Sequence, residues 1–154
     1  MRWLLIGITH KEIREKKYNM PPDEFVTLDR GDFGPFKDGD IDFKGDAFEV
    51  DTWKRIFVCY GACSFDVILT DGGLFGVKRV DEIIELKQKL LKPDGHIVNY
   101  MSSIGTRITC PFGRPIQLYL VHKSEYTIEN HERANQLYDN SVKGQLLKRV
   151  NMII

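Results

Sequence analysis

Residues 65–76 read FDVILTDGGLFG. Phe65, Val67, Ile68 and Leu69 form an almost unbroken apolar run, the pattern of a strand covered on both faces in a parallel sheet. The run ends in Asp71 and the Gly72-Gly73 pair, a turn signal. Parallel neighbours cannot be reached through a hairpin and need crossover segments. A central strand here therefore requires apolar strands alternating with helices on either side of it in the sequence.

That alternation is present. Trp3 to Ile8 is an apolar strand, followed by the charged, helix-patterned KEIREKKY, which Pro21 and Pro22 end. EFVTLD at 24–29 is a second strand. The stretch after it, RGDFGPFKDGD, is rich in glycine, proline and aspartate and stands where a crossover helix would be, so one such helix is expected to be trimmed away. IDFKGDA at 41–47 is a third, weaker strand. DTWKRIFVCYG then predicts a helix with Asp51 or Thr52 as N-cap, Trp53, Ile56, Phe57 and Tyr60 on one face, and Gly61 as its stop.

Beyond the central strand, DEIIELKQKLLKPDG predicts a helix with Ile83, Leu86 and Leu90 on one face, Ile84 and Leu91 beside them, and Pro93 and Gly95 closing it. HIVNYM follows as a strand, and IQLYLVHK at 116–123 alternates as the last one. The expected fold class is α/β: a three-layer, mostly parallel sheet with an antiparallel last strand. Residues 1–123 form that domain, and 124–154 a helical extension packed on it.

At 154 residues and 42% hydrophobic content, the chain is the size of one domain with its own core. Lys plus Arg and Asp plus Glu number 22 each, so there is no overall field to draw the chain to nucleic acid or a membrane. The odd count of 3 cysteines, with Cys59 and Cys63 close together near a helix end, argues against a disulfide framework and for packed helix residues in a reducing compartment. The apolar run at 3–8 is far shorter than the ~20 residues of a membrane span. A soluble, cytoplasmic protein is expected. The histidines and cysteines show no metal-ligand spacing, and no metal is expected.

In parallel sheets ligands bind beyond the carboxyl ends of the strands, where strand order reverses. The residues to weigh are therefore Gly7 to His10, Asp29, Asp46 with Ala47, and Asp71 to Leu74. The order LLIGITH, Asp29, GDAF and FDVILTDGGL followed by LLKPDGHIV resembles the S-adenosylmethionine-dependent methyltransferase family, with its Rossmann-like sheet, over residues 1–123. The resemblance implies S-adenosylmethionine as cofactor, held by Gly7, Asp29 (ribose), Asp46 and Ala47 (adenine), Asp71 and Gly72. It also implies Asp71 as the catalytic residue that orients or deprotonates a methyl acceptor.

The departures from the family pattern fall in the first loop. Leu5 stands where the family has an acid for the methionine ammonium, and Thr9 and Lys11 stand at two of its three glycines. Members that methylate RNA ribose use a Lys-Asp-Lys-Glu set; Asn99 stands near the second lysine, which disfavours that chemistry. Two readings stay open: a methyltransferase acting on a nucleic-acid or small-molecule acceptor, with a partner protein chain completing its substrate site, and an inactive methyltransferase-like domain serving as a protein-binding, regulatory or structural module. Asp71, Asp29 and Asp46 each have a plainer reading as turn formers.

Overall fold

The computed structural model describes residues 1–15, 22–32, 34–70, 80–102 and 116–125. They contain strands β1 (Arg2–Ile6), β2 (Glu24–Asp29), β3 (Phe43–Lys44), β4 (Phe65–Thr70), β5 (Leu91–Ser102) and β6 (Ile116–His122). The helices are α1 (His10–Arg14), α2 (Val50–Tyr60) and α3 (Asp81–Leu90). The strands form one sheet in the order β3-β2-β1-β4-β5-β6. β1 to β5 are mutually parallel, and β6 runs antiparallel to β5, from His96 opposite His122 to Ser102 opposite Ile116.

Register explains the apolar runs. Leu4 is paired with Val26 on one side and Ile68 on the other, and Ile68 with Ile97, so all four share a face. That face packs on Trp53 and Ile56 of α2 and on Ile83, Ile84 and Leu90 of α3 in a single buried cluster. Leu5, Leu69 and Val98 form the corresponding row on the opposite face, and each is fully buried. Burying such a side chain stabilises by roughly 1.5–3 kcal/mol. Both faces of the three central strands therefore drive the fold, which is why their sequences do not alternate.

α1 lies on the face opposite α2 and α3. Thr27 is in register with Leu5, and its hydroxyl lies 3.3 Å from Asp42 Oδ2. That same carboxylate oxygen is 2.7 Å from His10 Nε2 at the start of α1. Among the described residues no helix occupies the stretch between β2 and β3. Its place is taken by a loop whose Asp42 continues the β2–β3 pairing by other means: Thr27 N–H donates to Asp42 Oδ2 at 2.9 Å, and Asp42 N–H donates to Thr27 Oγ1 at 2.9 Å.

Several boundaries differ from the sequence reading. β1 stops at Ile6 rather than Ile8 because the chain turns at Gly7. β3 shrinks to two residues, Asp42 pairing through its side chain. α2 begins at Val50 with Glu49 as N-cap, and no side chain caps it, so neither Asp51 nor Thr52 has that role. Gly61 does end α2, at φ 77°. LLKPDG is not a turn preceding the fifth strand. β5 starts at Leu91, opposite Phe65, and the next pair is Val67 with His96, so two steps along β4 match five along β5 and the extra residues bulge out.

Cys59 and Cys63 are both exposed rather than packed. Cys63 lies past the helix end, at φ 54°. The predicted helix at 128–150 and the extension at 124–154 lie outside the described residues, save for the turn Lys123–Glu125. No helix among the described residues is long and apolar enough to cross a membrane.

Two predictions follow from this packing. Gly45 precedes α2 with no room for a side chain, since a Cβ would lie 2.8 Å from Oγ1 and 3.1 Å from Cγ2 of the buried Thr52. Gly45→Ala should destabilise by about 1–3 kcal/mol, read as a lower urea midpoint at unchanged slope. The second concerns Asp66, half-buried at the amino end of β4. Burial pushes its carboxyl up, but the Arg2 N–H at 2.8 Å and the Lys92 ammonium at 3.1 Å outweigh that and hold it below the usual carboxylate range. A depressed folded pKa gives stability that is present above the unfolded value, roughly 3.9, and lost as pH falls through the folded one. Asp66→Asn should be less stable than wild type at pH 7, and the gap should narrow as pH falls below the usual carboxylate range and close once the folded carboxyl is protonated.

Candidate functional site

Strand order reverses between β1 and β4: β1 hands the chain on to β2 at one side, whereas β4 hands it on to β5 at the other. Such a point leaves a crevice beyond the carboxyl ends of the two strands. Gly7 is the first residue past β1. Its φ is 84°, a conformation that strains an L side chain, and its N–H donates to Leu28 O at 2.9 Å. Glycine thus lets the chain leave the sheet edge abruptly while staying fastened to β2.

Asp29 ends β2. Its Oδ1 accepts from Gly31 N–H at 2.7 Å, and its carbonyl accepts from Gly45 N–H at 3.0 Å, which ties the end of β2 to the chain leaving β3. Asp46 Oδ1 accepts from Phe48 N–H at 2.8 Å. The Ala47 carbonyl accepts from the indole N–H of Trp53 at 2.8 Å, which holds this turn against the buried face of α2. Gly7, Asp29, Asp46 and Ala47 therefore gather along one edge, at the ends of β1, β2 and β3. Both aspartates also shape turns through their side chains. Asp71 and Gly72 lie outside the described residues; the last described residue of β4 is Thr70.

The three departures in the first loop have structural roles. Leu5 is fully buried in the apolar row with Leu69, so no acid faces the crevice from that position. Thr9 is buried and caps α1: Glu12 N–H donates to its hydroxyl at 3.2 Å, and Glu12 Oε1 accepts from Thr9 N–H at 3.3 Å. This reciprocal pair satisfies two donors of a helix start. Lys11 donates through Nζ to Pro35 O at 2.9 Å and lies 5.4 Å from the centre of the Phe36 ring. His10, between them, pairs with Asp42, and its N–H donates to Asp40 O at 2.8 Å.

Sequence reasoning missed this docking of α1 on the loop at 34–42. Asp40 is its hub. Buried, it accepts Lys37 N–H at 2.7 Å and pairs with the Arg14 guanidinium. The Lys37 N–H and Arg14 hold its carboxyl below the usual range. The signal was there in DGDID, alternate acids around a glycine, but their partners on α1, Arg14 and His10, lie more than twenty residues away in the chain.

Thr70 was also missed, since in the sequence it is one more strand residue. It is 7% exposed, and its Oγ1 has no hydrogen-bond partner among the described residues. An orphaned buried hydroxyl costs about 1–3 kcal/mol. Thr70 is in register with Ile6, the residue before Gly7, so the orphan lies on the strand next to the Gly7 turn.

No family model matches the chain, and no curated protein does. Solved structures do resemble it. MycE methyltransferase from the mycinamycin biosynthetic pathway, in complex with Mg and SAH, is 24% identical over 67% of this chain and 28% of its own, with a TM-score of 0.44. An S-adenosyl-L-methionine methyl transferase from Silicibacter pomeroyi is 15% identical over 64% of this chain and 63% of its own, with a TM-score of 0.42. Phosphoethanolamine N-methyltransferase 2 from Haemonchus contortus is 17% identical over 88% and 32%, with a TM-score of 0.38. This chain thus spans less than two thirds of the length of each. At TM-scores below 0.5 these likenesses carry no functional argument, and the functional reading rests on the chain's own geometry.

Proposed function

We propose that this chain is an S-adenosylmethionine-dependent methyltransferase-like domain, with its ligand lying across the carboxyl ends of β1 to β4. The observation that carries the reading is Gly7: a left-handed glycine turn at the reversal of strand order, bonded to β2 one residue before Asp29. A glycine there fits close backbone approach by a nucleoside ligand. Gly7, Asp29, Asp46 and Ala47, with Asp71 and Gly72 next along the chain from Thr70, would hold the cofactor.

When bound, S-adenosylmethionine supplies a methyl group on a sulfonium that is its own leaving group. The protein's part is then alignment of the acceptor and management of its proton. Asp71 is proposed for that second task, toward a small-molecule or nucleic-acid acceptor, with a partner protein chain completing the acceptor's side.

The structure favours one competing reading at a specific point. Leu5 is sealed in the core and Thr9 is committed to capping α1, so the usual acid and one of the usual glycines are missing where a methionine tail would lie. An inactive domain that keeps the fold and binds a protein partner would tolerate both changes.

Calorimetric titration with S-adenosylmethionine and with S-adenosylhomocysteine tests the proposal. Micromolar binding is expected, with a loss of roughly 10- to 100-fold in an Asp29→Asn, Asp46→Asn double variant. Asparagine retains the Oδ1 acceptor that each turn uses, so the loss would report the carboxylate charge rather than a collapsed loop. Absence of binding up to millimolar ligand would decide for the inactive module.

A further inference from the structure

We infer that this edge recognises its ligand by the nucleoside alone, so that an adenosine carrying a short neutral substituent on its sugar binds as well as one carrying a charged amino-acid tail. The inference rests on the functional reading above and deepens it by naming the class of ligand.

Strand order gives the direction in which the ligand lies. With the base at Asp46 and Ala47 beyond β3 and the sugar at Asp29 beyond β2, the substituent on the sugar runs along the edge toward the next strand, β1. What stands there is the stretch from Leu5 to Arg14. Leu5, Ile6, Ile8 and Thr9 are each at most 1% exposed, so their side chains are spent on the fold rather than offered at the edge. Gly7 has no side chain, and its N–H already donates to Leu28 O at 2.9 Å.

The charged groups that follow are engaged within the chain. Glu12, the one carboxylate between Gly7 and Arg14, accepts Thr9 N–H at 3.3 Å and lies 3.3 Å from the Thr9 hydroxyl. His10 pairs with Asp42 at 2.7 Å, and Arg14 pairs with Asp40. Lys11 donates to Pro35 O at 2.9 Å and stands over the Phe36 ring. All of these ties run to the cap of α1 or to the loop at 34–42, so the charges order the shortened crossover. An ammonium and a carboxylate brought here on a ligand would lose water without gaining a counter-charge from the β1 loop, and breaking a tie to supply one would leave its former partner unmatched. A methylthio group carries no such cost. A site that offers a polar group no partner has no means of preferring the ligand that bears it.

The test is calorimetry with S-adenosylhomocysteine and with methylthioadenosine, which keeps the nucleoside and its sulfur and has a methyl group in place of the amino-acid tail. Methylthioadenosine is expected to bind within about fivefold of S-adenosylhomocysteine, or more tightly, and Lys11→Ala is expected to leave the ratio of the two affinities unchanged. If S-adenosylhomocysteine binds more tightly by a wider margin than that, or if Lys11→Ala weakens it selectively, the tail is held by the protein; the inference then fails and the functional reading stands. A wild-type chain that binds neither probe up to millimolar concentration overturns both.

Discussion

The structure depends on β1 being held at both edges. Trp3 to Ile6 are hydrogen-bonded to β2 on one side and to β4 on the other, and all four side chains are buried. A strand in that position fixes the remaining topology. Its successor must lie beside it across a right-handed crossover, and the later strands must fill the other edge, so their helices go to the other face. The reversal of strand order between β1 and β4, and the crevice beyond it, follow from that constraint before any residue is chosen for chemistry. Gly7 is the first position at which the crevice imposes its own demand.

The two faces of the sheet are covered by different means. α2 and α3 bury apolar stripes on one face in the usual manner of amphipathic helices, through Trp53, Ile56, Ile83, Ile84 and Leu90. α1 buries none of its residues. It is held by polar ties instead: the Thr9 capping box, His10 to Asp42, Arg14 to Asp40 and Lys11 to Pro35. The loop that replaces a crossover helix thus becomes the partner of α1, and its acids need basic residues facing them. Lys11 and His10, which look like damage to a glycine-rich loop when judged as ligand-binding residues, are what this shortened crossover requires.

Legibility in the sequence followed the range of the forces involved. EFVTLD and FDVILT could be read because burial on one or both faces writes itself into consecutive residues, and both strands lie where expected, Asp71 falling outside the described residues. Gly61 could be read as a helix stop because its left-handed backbone is a local property. The start of β5 could not. Leu91 joins the sheet by pairing with Phe65 across the core, with its carbonyl accepting Lys123 Nζ at 2.7 Å, and Pro93 and Gly95 are left to form a bulge rather than a turn. In the candidate site, the strand-end positions of Gly7, Asp29, Asp46 and Ala47 were legible from spacing. The Asp40 and Asp42 network and the orphaned Thr70 hydroxyl were not, since both are defined by distant partners or by the lack of one.

On the proposed reading, the carboxyl edge of the sheet asks the same residues to do two things. Asp29 and Asp46 order the turns after β2 and β3, and the carbonyl of Asp29 and that of Ala47 pin those turns to Gly45 and Trp53. Groups already fixed in this way lose little conformational entropy when a ligand arrives, so modest contacts can count in full. Fixity also restricts what they can reach. With Leu5 in the core and Thr9 turned into α1, little adaptable polarity remains beside Gly7 to meet a charged tail. Among the described residues the polar order of this edge is thus concentrated at the ends of β2 and β3.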